Sequence, residues 1–402
     1  MKLFSAVLAR ALRSRNYRLY FAGQLVSLAG TWMQQIAMSW LAYRLTNSAL
    51  VLGMVGFASQ IPILLFGSIM GVVTDRFDRR RILLATQTLA ALQATVLALL
   101  VWQDRITPTW LIALAFVLGC VNALDIPARQ AFSVQLVEHR DDLPNAIALN
   151  SLLMNAARFV GPALAGFAVA AMGEAVCFGI NAASYLAVLL ALWAIDARAP
   201  TRHHAPALDA LRQGVRYVAH HRDIRLFLLV VAAVSFLVTP YAVMMPLFAR
   251  EIFAGDARTY GLLIASAGAG SLAASLYLAG RAGTAGLSRR VAGAVIAAGA
   301  ALALFAVNTT LALAFPAAMA LGCAVIIVIA GSNTLIQTQV EDAYRGRVMA
   351  IFSMAFLGIA PLGSLTVGSL AHTVGVPHTL LGCGLITVAV GLLARRRLRL
   401  AR

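Results

Sequence analysis

Ser151, Asn155, Arg158 and Pro162 follow one another at steps of four, three and four residues, so in a helix they share one face. The surrounding run is apolar, and an arginine inside an apolar membrane helix costs at least about 2.5–3.5 kcal/mol. Such a group needs a wet cavity or a partner on that face: it binds an anionic group, meets a gating carboxylate, or forms a structural pair. Gln24, Ser27, Thr31 and Gln35 make a second stripe at helical spacing among Leu, Ala, Met and Trp. That stripe either lines a cavity or hydrogen-bonds to neighbouring helices. Asp125, three residues after Asn122, is read as the only carboxylate inside an apolar run. Together with Asp75 it is a candidate for proton transfer; alternatively, placed just before Pro127, it faces water.

This chemistry is recognition and proton movement. No nucleophile, base and orienting group recur at a recognisable spacing, and no Gly-x4-Gly-Lys-Ser/Thr phosphate loop occurs, so no catalytic residue is assigned, an enzyme is not expected and ATP is not the expected energy source. The four cysteines, Cys120, Cys177, Cys323 and Cys383, fall in apolar runs without metal-type pairing. His203-His204 and His220-His221 lie in a basic stretch with no Cys or carboxylate cluster to complete a site, so neither a metal nor an organic cofactor is expected.

The elements that must position these residues are membrane helices. The chain of 402 residues is 61% hydrophobic and only 12% charged, against roughly 45–50% apolar in a soluble domain. Apolar runs of about 20 residues, the length that crosses a bilayer, fall near 17–43, 49–73, 82–102, 107–127, 145–172 and 174–195. A second set falls near 223–249, 260–280, 288–308, 310–332, 347–371 and 376–394. The expected fold is therefore all-α, with twelve transmembrane helices. The first run follows Arg10, Arg13, Arg15 and Arg18, but it is too long for a signal peptide and lacks a small-residue cleavage site, so a retained helix is expected.

With both termini in the cytoplasm, 27 of the 32 Lys and Arg residues fall on the inner side, Arg44, Arg105, Arg250 and Arg258 fall outside, and Arg158 lies within a span. That asymmetry sets the orientation. The net charge of +17 thus faces an anionic inner leaflet, which argues for the lipid bilayer as partner and against nucleic acid.

The longest connection, 196–222, divides the chain into an N-terminal bundle (1–195) and a C-terminal bundle (223–402). Its Leu208, Leu211, Val215 and Val218 recur at helical spacing beside Arg212 and Arg216, which suits a helix on the inner leaflet; the alternative is a solvated tether. Val137-Glu138 matches Val340-Glu341 at an offset of 203, and Gly166 and Gly173 match Gly368 and Gly375 at an offset of 202. With half the chain at 201 residues, these weak matches suggest duplication.

Between the second and third spans lies Gly71-Val72-Val73-Thr74-Asp75-Arg76-Phe77-Asp78-Arg79-Arg80-Arg81. On Gly71, Asp75-Arg76 and Arg79-Arg80 the chain resembles the major facilitator superfamily, although Asp78 stands where that family usually has a second glycine. An Asp at a helix end can hold exposed N–H groups or pair with arginines and so latch one conformation. The resemblance implies that role for Asp75; the alternative is that Arg76, Arg79, Arg80 and Arg81 only enforce orientation. Asn155 to Gly166 in the fifth span resembles the Gly-Pro motif of the superfamily's antiporter branches, with Gly161 and Gly166 remaining of its glycines. Gly161-Pro162 removes a backbone donor and permits close helix approach, giving a kink suited to a gate. Gln24 to Ser27 through Trp32 to Gln35, Asp125 to Gln130 and Arg345 to Val348 are most similar to the enterobactin-exporter branch, which also holds macrolide and drug efflux proteins.

The resemblance implies the major facilitator fold, two six-helix bundles, and export from the cytoplasm of a bacterium across its inner membrane. The cargo would be a small amphipathic organic molecule, siderophore- or drug-like, moved by alternating access with the proton gradient as energy source. Gln24, Thr31, Gln35, Asn155 and Arg158 would line the substrate cavity. Gly71, Asp75, Arg76, Arg79, Arg80, Gly161 and Pro162 would gate it, and Asp125 or Asp75 would carry the proton. A monomer is expected. Uptake by the same fold, or a membrane sensor or assembly partner that has lost transport, are the other readings.

Overall fold

The computed structural model describes residues 11–137, 142–195, 207–281 and 283–400. Among them all regular structure is helical. The helices are α1 (Arg15–Thr46), α2 (Ala49–Arg76), α3 (Arg79–Trp102), α4 (Pro108–Gln135), α5 (Leu143–Ala194), α6 (Ala207–His220), α7 (Arg222–Leu237) and α8 (Tyr241–Leu247), the last continued by a π-helical turn at Phe248–Ile252. There follow α9 (Ala257–Ala279), α10 (Leu287–Val307), α11 (Leu311–Gln339) and α12 (Asp342–Ser353). A second π-helical turn at Met354–Gly358 leads into α13 (Ile359–Val374), and α14 (Val376–Leu400) ends the described chain.

Polar side chains start several of these helices by taking up the unpaired N–H groups of the first turn. Thr107 accepts from Trp110 N at 3.3 Å at the head of α4, and Asp256 accepts from Arg258 N at 2.9 Å and Thr259 N at 3.2 Å at the head of α9. Asp78, where the related motif has glycine, accepts from Arg80 N at 2.8 Å with a φ of −63°. This turn therefore has no need of glycine's freedom, and the aspartate serves as the cap of α3.

Ten helices among the described residues are long and apolar enough to cross a membrane. One of them, Ala156–Ala194, covers two crossings, because α5 bends at Gly173 (φ 79°, ψ 170°). With the more polar, 32-residue α1, these account for the twelve crossings. Gly375 (φ 88°, ψ 150°) makes the same joint between α13 and α14. Both conformations lie in a region open essentially to glycine alone, and the two positions are those matched between the halves in the sequence. The bend in α5 thus falls at Gly173, whereas the helix runs on through Gly161 and Pro162.

The chain forms two compact units, Met1–Leu41 with Pro62–Ala205 and Ala42–Ile61 with Pro206–Arg402. The early turns of α2 group with the second unit because Gly53 meets α13 backbone to backbone: a methyl group on Gly53 would lie 2.6 Å from the Ser364 carbonyl oxygen. Also in this unit, α6 packs on α12. Tyr217 is buried between His221, at 3.8 Å ring to ring, and Tyr344, at 4.5 Å, while Val215 points away.

Apolar helices gain little from burying one another in hydrocarbon, so close van der Waals contact must hold them. Gly270 and Gly322 supply it between α9 and α11: a methyl group on Gly270 would come within 1.8 Å of the Met319 carbonyl oxygen, and one on Gly322 within 1.9 Å of that of Ala267. Gly270→Ala and Gly322→Ala should each destabilise the protein by at least about 1–3 kcal/mol through overpacking. Gly293→Ala, on an exposed face of α10 with nothing within 4 Å, should be neutral or stabilising by up to about 1 kcal/mol. Thermal unfolding of the three variants in detergent checks the ranking.

Candidate functional site

The first unit encloses two polar layers in an otherwise apolar bundle. In the first, the Asp125 carboxylate of α4 is buried, and its Oδ1 accepts from Thr86 Oγ1 and Gln87 Nε2 of α3, both at 2.8 Å. Its Oδ2 meets Arg129 Nη2 one turn on, at 3.0 Å. Arg129 Nη1 in turn donates to Gln24 Oε1 of α1 at 3.5 Å, so one ion pair ties three helices together. A charge in an apolar interior requires this kind of satisfaction. Asp125 therefore does not face water, and Arg129, assigned from the sequence to an inner loop, lies inside α4.

In the second layer Asn181 Nδ2 donates to Gln34 Oε1 at 2.7 Å, Gln34 Nε2 to Gln93 Oε1 at 2.8 Å, and Gln93 Nε2 to the Leu114 carbonyl at 3.1 Å. Here α1 is joined to α3, α4 and the second limb of α5. Gly30 makes this possible, because a methyl group there would sit 2.4 Å from Ser184 Oγ and 2.5 Å from Asn181 Oδ1.

The α1 stripe divides between these surroundings. Gln24 and Ser27 are buried, whereas Thr31 and Gln35 are exposed, and Gln34 rather than Gln35 enters the second layer. Arg158 is exposed on the first limb of α5, while the side chains of Ser151 and Asn155 lie outside the described residues. Gly161 admits Trp32 of α1, whose Cγ would stand 2.7 Å from a methyl group at that position, and Pro162 is buried.

In the charge cluster, the Asp75 side chain lies outside the described residues, Arg76 is exposed and Arg79 half-buried. A methyl group on Gly71 would meet nothing within 4 Å. Arg80 donates through Nε to the Leu192 carbonyl at 2.7 Å and through Nη2 to that of Trp193 at 3.0 Å. It thereby takes up carbonyls that the end of α5 would leave unpaired and pins that end to the start of α3.

Sequence reasoning missed Thr86, Gln87, Gln93, Gln34, Asn181 and the inward role of Arg129. Thr86 and Gln93, seven residues apart, fall on one face of an apolar helix, which is the periodic signal that marks them. Three further carboxylates also fall within candidate spans: Glu174, buried beside the bend of α5, Asp223 in the first turn of α7, and Glu251, which hydrogen-bonds with Tyr43 in the second unit. Asp125 is therefore not the only acid in an apolar run. His203 and His204 lie outside the described residues. His220 and His221 each place Nδ1 at 2.7 Å from a carbonyl one turn back, of Arg216 and Tyr217.

On another side of the first unit an apolar groove of about 740 Å³ opens between α1 and both limbs of α5, with Leu25, Met33, Leu153, Val160, Leu164 and Ile180 among its walls.

Removing one partner of a buried ion pair leaves the other charge uncompensated. Asp125→Asn and Arg129→Gln should each lower stability by about 3–5 kcal/mol. The double variant should lose less than the sum, with a coupling of about 0.5–3 kcal/mol. A double-mutant cycle by thermal unfolding in detergent reads this directly.

A family model described as "transmembrane secretion effector" matches residues 7–402. The staphyloferrin A transporter of Staphylococcus aureus is 26% identical over 92% of this chain and 93% of its own length. The multidrug efflux pump Tap of Mycobacterium tuberculosis is 26% identical over 92% and 91%, and macrolide efflux protein A of Streptococcus pyogenes is 22% identical over 94% and 95%. Among solved structures, the nucleoside transporter NupG superposes with a TM-score of 0.74 at 14% identity, covering 94% of this chain and 98% of its own. A bacterial homologue of the human lysosomal transporter Spinster, inward-facing and unoccupied, gives 0.71 at 13%, covering 95% and 97%. The helical architecture and the match along nearly the whole sequence agree: this chain belongs to the transmembrane secretion effector family of the major facilitator superfamily and is a multi-pass membrane transporter, not an enzyme.

Proposed function

We propose that this transporter exports a small amphipathic organic molecule, siderophore- or drug-like, by alternating access driven by a proton gradient. It would act as a monomer in a bacterial inner membrane, with both termini in the cytoplasm. The observation that carries the coupling is the Asp125 carboxylate, bonded at once to Thr86, Gln87 and Arg129. A proton delivered to Asp125 would cancel half of the ion pair and release Arg129, and through it Gln24 of α1. Protonation would thus loosen the contacts between α1, α3 and α4 in a single step, as a coupled transporter requires. Asp75 is a second candidate for the proton, and with Gly71, Arg76 and Arg79 it would bias the balance between states. Arg80 would hold the ends of α3 and α5 together throughout.

Arg158 supports a cargo with an anionic or strongly polar group, because an exposed cation in an apolar helix binds such a group at little further desolvation cost. Thr31, Gln35 and Asn155 would add neutral hydrogen bonds. The relatives carry staphyloferrin A, macrolides and diverse drugs by their names, which favours an amphipathic cargo over a small inorganic ion.

The test is transport in proteoliposomes under an imposed pH gradient, with siderophores and amphipathic drugs as cargo. The wild type should move cargo against the proton flux. Asp125→Asn should abolish dependence on the gradient while leaving cargo binding measurable. Arg158→Ala should raise KM for anionic cargo about tenfold or more with little effect on neutral cargo, since a charge-assisted hydrogen bond to the cargo contributes about 1.4 kcal/mol or more. Movement of cargo down the proton flux would identify uptake, and wild-type coupling in Asp125→Asn would remove this carboxylate from the mechanism.

A further inference from the structure

We infer that the apolar groove of the first unit is a binding site for a lipid acyl chain, wedged between α1 and the two limbs of α5. The groove holds about 740 Å³, within the 300–1,000 Å³ range of small-molecule sites. Its one polar side chain is Ser184, whose hydroxyl already donates to the Asn181 carbonyl at 2.8 Å. Water needs two to four polar partners, and among the side chains there it finds at most the Ser184 hydroxyl oxygen. An empty space of this size would forfeit the packing contacts of every wall atom. The occupant is therefore hydrocarbon.

The placement selects lipid over cargo. On α1 the groove takes positions 25, 26, 29, 30 and 33, while Gln24, Ser27, Thr31 and Gln35 occupy the opposite side of the same helix, about 180° round at 100° per residue. On α5 it takes 153, 156, 157, 160, 161 and 164, again opposite Ser151, Asn155, Arg158 and Pro162. Thr31, Gln35 and Arg158, the exposed members of those faces, lie on the side away from the groove, so a molecule held by them would not touch it. Its rim residues Leu25, Val26, Leu164 and Ile180 are apolar and exposed, and they lie inside α1 and the two limbs of α5, away from the helix ends, where a bilayer presents acyl chains. The small residues Ala29, Ala156, Ala157 and Ala183 leave room for a chain to lie close to the helix backbones. This site follows from membrane embedding and does not depend on the direction or coupling of transport.

Trp32 reports on the groove, because its indole abuts Gly161 in the wall. A variant keeping Trp32 alone, with Trp40, Trp102, Trp110 and Trp193 changed to Phe, is reconstituted in phosphatidylcholine vesicles with and without brominated chains. Trp32 emission should fall at least twofold in the brominated vesicles. Filling the groove with Ala156→Leu or Ala183→Leu, or with the milder Ala156→Val and Ala183→Val should the larger side chains prevent folding, should restore it. Native mass spectrometry should show a phospholipid retained by the wild type and absent from the filled variants. Equal emission in the two kinds of vesicle, or quenching and lipid retention unchanged by filling, overturns the proposal. Relief of quenching by an amphipathic drug also overturns it, because the groove would then hold cargo. Neither readout needs a gradient, so failure of the export reading leaves this result intact.

Discussion

A carboxylate buried among apolar helices has no water to fall back on, and the first bundle is organised around that constraint. Asp125 is satisfied by Thr86, Gln87 and Arg129, and Arg129 reaches on to Gln24, so the charge in α4 dictates what α1 and α3 must offer opposite it. The second layer, Gln34 with Gln93 and Asn181, repeats the arrangement with neutral groups. Neutral amides in hydrocarbon act as glue between helices. A buried charge pair does more, since adding one proton alters the balance that holds three helices together. The bundle thus contains one layer of neutral amides and one built on an ion pair.

The distance between helices is set by glycine, both beside the polar layers and away from them. Gly30 lets Asn181 and Ser184 reach α1, Gly161 makes room for Trp32, and Gly270 with Gly322 brings two helices of the second unit into backbone contact. Gly173 and Gly375 have a different task. Their left-handed, extended conformation turns the chain at the same joint in each half. Two such joints 202 residues apart give the sequence duplication a structural counterpart, since a conformation that only glycine adopts is hard to lose once a fold depends on it.

The faces of α1 and of the first limb of α5 are divided in the same way. Each shows polar residues on one side and a smooth apolar wall on the other, and the two walls form one groove. In a soluble protein an apolar groove of this size would invite a partner. In a transporter surrounded by acyl chains the partner is already present, and the packing of the bundle includes it. The start of α3 completes the frame, with Arg80 binding the last carbonyls of α5 and Asp78 capping α3.

The sequence by itself determined the class of this protein. Runs of about 20 apolar residues admit only membrane helices, and the motif around Gly71, Asp75 and Arg76 together with Gly161-Pro162 placed it in its superfamily. It also marked Gln24, Asp125 and Gly161, because a polar or flexible residue in an apolar run needs a reason. Tertiary structure alone decided what those reasons are. Gln34 enters a polar layer while its neighbour Gln35 does not, although the two differ by a single step of about 100° on the helix. Asp125 proves to be buried and paired because α3 presents Thr86 and Gln87 to it from 39 and 38 residues away. Helical periodicity fixes which residues share a face, but which helix that face meets depends on packing across the whole bundle, and no local pattern records it.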